Sequence, residues 1–169
     1  MDDIALTEIQ SVPVAQLRSW LQVEQVRRWF PDPDDVLEWA RDVPQNGRHR
    51  LIMKGAEAVG YLRWSYVPRD VLDALGFDDL PADSADIDLF IGSEQHTGRG
   101  FGRRALELAI DELRAEGVAT VAALTTSVEN TTAHGAFERA GFRIDRTYTP
   151  EGFGPCYLML RVLFEFGGR

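Results

Sequence analysis

The stretch Gln95–Gly117, QHTGRGFGRRALELAIDELRAEG, restricts the fold more than any other part of the chain. It opens on the alternating glycines Gly98, Gly100 and Gly102 and closes as an amphipathic helix. Leu106, Leu108, Ala109, Ile110 and Leu113 give that helix an apolar side, and Gly117 stops it. Just before it, DIDLFIG alternates Ile87, Leu89 and Ile91 with Asp86, Asp88 and Phe90, which predicts a strand. A strand, a bare turn and a helix aim the first helical amides at one spot. Glycine there lets an anion come close to the backbone. Arg99, Arg103 and Arg104 add positive charge. The turn is not a Walker loop, which requires Gly-Lys-Ser/Thr after four spacer residues. It is not a dinucleotide fingerprint either, because its glycines are evenly spaced and no ribose-binding acid follows at ~20 residues. A tight connection without a ligand is the plain alternative.

Around this unit, residues 1–169 read as a single domain. PVAQLRSWL and DPDDVLEWARDV predict two short helices, the second started by Pro33 and its neighbouring acids. RHRLIMK, the turn GAEA and VGYLRWSYV predict an antiparallel hairpin with Leu51 and Met53 on one face. Residues 67–85 predict a long loop with one helical turn at RDVLDAL. VATVAALT reads as a buried strand, and NTTAHGAFERAG as a helix capped by Asn130 and ended at Gly141. FRIDRTY and CYLMLRVLF follow as strands joined by TPEGFG. This order predicts the α/β (α+β) class: a mixed sheet with helices on both faces. A hydrophobic content of 44% supports one real core.

Charge and cysteine usage narrow the partners. The 18 lysines and arginines face 27 acids, a net charge of -9, which argues against nucleic acid and favours a cationic small molecule. Solubility alone also explains such a balance. The single Cys156 excludes a disulfide framework, and His49, His96 and His134 lack metal-ligand spacing, so no metal is expected. MDDIALTEIQ lacks the basic-then-apolar signature of a leader, and no apolar run reaches the ~20 residues of a membrane span. A cytoplasmic chain without membrane attachment is the expectation.

Two stretches resemble the GCN5-related N-acetyltransferases. QHTGRGFG is similar to their Gln/Arg-x-x-Gly-x-Gly/Ala coenzyme A signature, with Gln95, Gly98 and Gly100 at the motif positions. ENTTAHGAFERAGF resembles their second signature, Asn130 followed by a helix ending in aromatic-Glu-Arg-Ala-Gly-Phe. The likeness covers residues 57–163 and reaches the first fifty only loosely. It implies the GNAT fold, a central sheet splayed at an acetyl-CoA cleft. It places the diphosphate on the amides of Arg99, Gly100, Phe101, Gly102 and Arg103. It runs the pantetheine along Leu89, Phe90 and Ile91, with Gln95, Asn130 and Phe137 bordering the coenzyme. The implied chemistry is acetyl transfer to an amine, which must first lose a proton. An N–H such as that of Phe90 then meets the oxyanion. Many members carry a tyrosine acid where this chain has Phe137, so the thiolate leaves unaided or takes a proton from water.

DIDLF further resembles the corresponding strand of aminoglycoside 6'-N-acetyltransferases, which places Asp88 beside the acetyl group and the attacking amine as the catalytic carboxylate that holds and deprotonates the ammonium, directly or through water. An aminoglycoside carries several ammonium groups, which makes Asp79, Asp83 and Asp86 in the acidic loop candidate contacts of an acceptor site, and Glu151 in TPEGFG stands at a position resembling a substrate-contacting aspartate of that group. Trp20, Trp64 and Tyr66 are the aromatic wall of that site. Solvated acids and core aromatics are the plain alternatives. Thr125 stands where those enzymes carry an aspartate, so a 2'-amine, as on kasugamycin, remains beside the 6'-amine. Protein N-termini, a siderophore hydroxylysine and a non-catalytic acyl-CoA sensor are the rival readings. Homodimers are common for such folds, but no interface is legible.

Overall fold

The computed structural model describes residues 3–164. Its strands are β1 (Ile4–Glu8), β2 (Gly47–Lys54), β3 (Glu57–Val67), β4 (Ser84–Ile91), β5 (Val121–Ser127), β6 (Arg143–Tyr148) and β7 (Cys156–Val162). They form one mixed sheet in the order β1-β2-β3-β4-β5-β7-β6. The helices are α1 (Val14–Gln22), α2 (Glu24–Arg27), α3 (Pro33–Arg41), α4 (Arg69–Ala74), α5 (Phe101–Glu116) and α6 (Thr131–Arg139). The expected α/β class and mixed sheet are both present. None of the helices among the described residues is long and apolar enough to cross a membrane.

α5 holds one side of the sheet. Gly100 enters it at φ 83 and Gly117 leaves it at φ 67, with the Gly117 N–H donating to Leu113 O. Phe101, Leu106, Ile110 and Leu113 then press onto Trp64, Ile87, Leu124 and Met159 in the main core. The other face is covered in two patches. α1, α2 and α3 set Leu17, Leu21, Val26 and Leu37 over Tyr61 and Phe90. Farther along, Leu72 of α4 with Phe77 and Leu80 rests on Ala123 and Leu158. α3 starts as its sequence predicts: Asp32 Oδ1 accepts from Asp34 N and Asp35 N, and Pro33 takes the first turn.

The gap between the two patches coincides with a break in the sheet. β4 and β5 run parallel but pair only at Ala85↔Ala122 and Asp86↔Ala123. Beyond that point the strands part, and the rest of each, to Ile91 and to Ser127, has no partner across the gap. The splay expected from the sequence is therefore a two-rung contact followed by divergence.

Two elements escaped the sequence reading. β1 is an edge strand with only Ile4 buried, so it carries no alternation to read. α2 is a single turn that bends the chain between the two expected helices. Close packing fixes α1 on the sheet: a Cβ added at Gly92 would stand 2.2 Å from Trp20 Cδ1. Gly92→Ala should therefore destabilise the protein by about 1–3 kcal/mol, read as a lower urea midpoint at unchanged slope.

Candidate active site

The glycine turn is open on its outer side. Gly98 and Gly100 adopt φ 73 and φ 83, and a Cβ at either would meet no atom within 4 Å. The backbone conformation, not crowding, demands glycine here. The first bond of α5 runs from Arg104 N to Gly100 O, so the amides of Phe101, Gly102 and Arg103 precede the helical ladder. Phe101 anchors the turn in the core, with the Arg99 guanidinium 5.4 Å from its ring centroid. Arg103 and Arg104 both reach Glu107, at 2.9 and 3.4 Å. Gln95 is exposed, whereas His96 is buried and its Nδ1 lies 2.7 Å from Ser93 Oγ. His96 is a packing residue.

Hydrogen bonding decides which β4 amides face the gap. Gly92 N donates to Val59 O, and the β3–β4 register continues through Tyr61↔Phe90 and Arg63↔Asp88. Alternation along the strand thus turns the N–H and C=O of Phe90 toward β3. Leu89 and Ile91 turn theirs into the gap. The expectation that Phe90 supplies the oxyanion N–H is corrected accordingly: its amide is committed to the sheet, and its ring is buried beneath α1–α3.

Where β4 and β5 part lies a cavity of about 670 Å³. Trp29, Phe30, Phe137, Tyr148 and Phe153 are the aromatic residues of its lining. Leu89 and Asn130 also line it, and Asn130 caps α6 by accepting from Ala133 N at 3.3 Å. Asp88 and Arg63 sit together in the lining as a cross-strand pair. Arg63 Nε donates to Asp88 Oδ2 at 3.2 Å, and Nη2 stands 3.1 Å from the same oxygen. Nη2 also stands 3.5 Å from Asp35 Oδ2. The guanidinium lies 5.0 Å from the Trp39 ring centroid, and Nη1 is buried without a hydrogen-bond partner.

Behind this pair, a recess of about 90 Å³ is bounded by Asp86, Asp88, Arg63, Trp39, Trp64 and Ser65. Asp86 lines the recess and is exposed to solvent on one side while protein crowds its flanks. That crowding pushes its carboxyl up to about 7; the charge of Asp88 adds to the rise and Arg63 opposes it. Tyr148 OH and Thr125 Oγ1, both from residues of the cavity lining, are 2.6 Å apart. Burial raises the Tyr148 phenol, and its bond with Thr125 works the other way.

Several residues expected in the acceptor site lie elsewhere. Trp20 packs on Gly92 and edge-on to Phe90, at 6.3 Å between centroids. Trp64 and Tyr66 occupy the main core under α5, and the Tyr66 hydroxyl donates to Glu116 at 2.8 Å. The aromatic wall expected from these three is therefore corrected, since the core claims them. Asp79 is paired with Arg146, and Asp83 and Glu151 are exposed; none of the three lines the cavity. The wall comes instead from the run WFPDPDD, which supplies Trp29, Phe30, Asp32 and Asp35. Its two adjacent aromatics before a helix start were the available signal. Among the described residues no three His, Cys, Asp or Glu side chains are grouped to hold a metal ion.

The family model described as the acetyltransferase (GNAT) family matches residues 14–142. No curated protein sequence matches the chain. Among solved structures, aminoglycoside acetyltransferase AAC(6')-Ib in complex with coenzyme A and kanamycin is 22% identical with a TM-score of 0.77, over 95% of each chain. An aminoglycoside N(6')acetyltransferase from Legionella pneumophila is 16% identical with a TM-score of 0.74, over 96% of this chain and 94% of that one. A spermidine N-acetyltransferase chimera from Vibrio cholerae and hSSAT is 16% identical with a TM-score of 0.67, over 95% of each chain. At such identities the likeness is one of fold.

The Arg63–Asp88 contact is half-exposed on the aspartate side, so its strength lies near the upper end for surface pairs. A double-mutant cycle with Arg63→Ala and Asp88→Ala in urea denaturation should return a coupling of about 1 kcal/mol.

Proposed function

The chain belongs to the acetyltransferase (GNAT) family, and from that premise we propose that it acetylates the 6'- or 2'-amine of an aminoglycoside. Acetyl-CoA is the acyl donor, and the residues present fit it. The left-handed glycines and the leftover amides of Phe101, Gly102 and Arg103 offer a backbone site for a diphosphate. Gln95, Gly98 and Arg99 border that site. The amides of Leu89 and Ile91 offer extended backbone to a pantetheine arm, and one of them stands ready for a developing oxyanion.

The acceptor reading is carried by one observation: carboxylates and aromatic faces line the cavity at the same place where the β4 edge is exposed. Asp88 and Asp35 attract ammonium groups, and Trp29, Phe30 and Phe153 present flat apolar faces to sugar rings. Asp88 keeps its Oδ1 for the acceptor, because Arg63 takes only Oδ2. Phe137 lines the cavity without a proton to give, so departure of the sulfur relies on its own acidity or on water.

The test is free-thiol release from acetyl-CoA by the purified protein, with aminoglycosides including kasugamycin, spermidine, hydroxylysine and N-terminal peptides as acceptors. Turnover should be fastest with an aminoglycoside; turnover of a peptide or polyamine with none on any aminoglycoside overturns the proposal. Asp88→Asn should lower kcat/KM for the acceptor about 100-fold, through lost binding and placement of the ammonium, while donor binding survives. Gly100→Val should weaken donor binding, because a branched side chain disfavours φ 83 in the cradle.

A further inference from the structure

Two carboxylates stand two residues apart on one face of β4, in contrasting surroundings. Asp88 faces the cavity and is held by Arg63 through Oδ2, with Asp35 on the far side of the same guanidinium. Asp86 faces the recess, and among the described residues no donor or cation lies within bonding distance of it. The recess joins the two, since Asp88 lines both it and the cavity. At about 90 Å³ it has room for water, which takes roughly 30 Å³ per molecule in the liquid. Asp86 also sits on the last rung between β4 and β5, at the root of the splay.

We propose that Asp86 is the proton acceptor of the acetyl transfer, with Asp88 holding the ammonium and the recess conducting its proton to the Asp86 carboxylate. This assignment rests on the cavity being the acceptor site. An aspartate already engaged by a guanidinium is placed to bind a second cation. One with a solvated mouth and no partner is placed to take up and release a proton. Two like groups with divergent environments divide the acid–base work in this way.

The step balances. The ammonium N–H breaks with its electron pair left on nitrogen, and the proton converts the Asp86 carboxylate to the acid. The nitrogen then bonds to the thioester carbonyl carbon as the C–S bond breaks. The second N–H proton goes to the departing sulfur as thiol. Asp86, itself exposed, returns its proton to solvent. The charged and titratable groups facing Asp86 are Asp88 on its own strand, Arg63 on β3, Asp35 beyond Arg63 on α3, and Tyr148 on β6. Crowding by protein places the Asp86 carboxyl near neutrality, so its basic form grows as pH rises through about 7.

The experiment pairs pH–rate profiles with a carboxyl carbon-13 NMR titration of the acceptor-free protein. kcat/KM should rise with pH through an apparent pKa near 7. Asp86→Asn should erase that limb and cut kcat about 100-fold with KM for the acceptor unchanged. Asp88→Asn, by removing a negative neighbour, should move the limb to lower pH and raise KM; Arg63→Gln should move it to higher pH. A wild-type profile and rate in Asp86→Asn overturns the proposal. The NMR midpoint of Asp86 should also lie near 7, and a midpoint near the ordinary value of about 4 overturns it without any acceptor. Absence of turnover on every aminoglycoside would reject the acceptor class alone, because the NMR titration tests the proton affinity of Asp86 without any acceptor.

Discussion

The early parting of β4 from β5 is the constraint on which the rest of the structure depends. Two rungs hold the strands together, and beyond them each keeps an edge that a sheet would ordinarily pair. Such an edge is tolerable only if something else uses it. The amides of Leu89 and Ile91 lie on that edge, and the leftover amides at the start of α5 follow a short turn later in the chain. A long donor molecule with a diphosphate at one end and amides along its arm matches these two sets of amides. The two helical patches on the opposite face stop short of the gap, where the cavity lies.

Charge at the root of the splay is arranged with equal economy. Arg63 is largely buried, with 13% of its side chain exposed, and is balanced by Asp88 and Asp35 from two different elements. Without those acids it would be an uncompensated cation in the cavity wall, and without it they would repel each other. The guanidinium thus fixes the position of the carboxylate that faces the cavity. Asp86 lies outside this arrangement and retains the proton affinity that its crowded surroundings impose.

Much of this was legible in the sequence, and the failures share a cause. Gly98, Gly100 and the amphipathic stretch after them specify turn and helix through local chemistry, as do Asp32 before Pro33 and Asn130 before α6. Asp86 and Asp88 fall on one strand face by simple alternation. What alternation does not say is which face meets which layer when helices cover both. β3 is buried on both sides, so Trp64 and Tyr66 looked as available to a site as Arg63 does. The structure gives the aromatics to the α5 side and the arginine to the cavity. The same ambiguity hid the ladder parity that turns Phe90 away from the gap. DPDDVLEWARDV announces a helix start, and only tertiary folding brings the preceding Trp29 and Phe30 into one cavity with Asp88.

Diffraction from crystals soaked with coenzyme A tests the central claim most directly. The account predicts the diphosphate on the amides of Phe101, Gly102 and Arg103, the pantetheine along Leu89 and Ile91, and the sulfur in the gap facing Asp88. A coenzyme lodged on another surface, or a sulfur remote from that carboxylate, would contradict it.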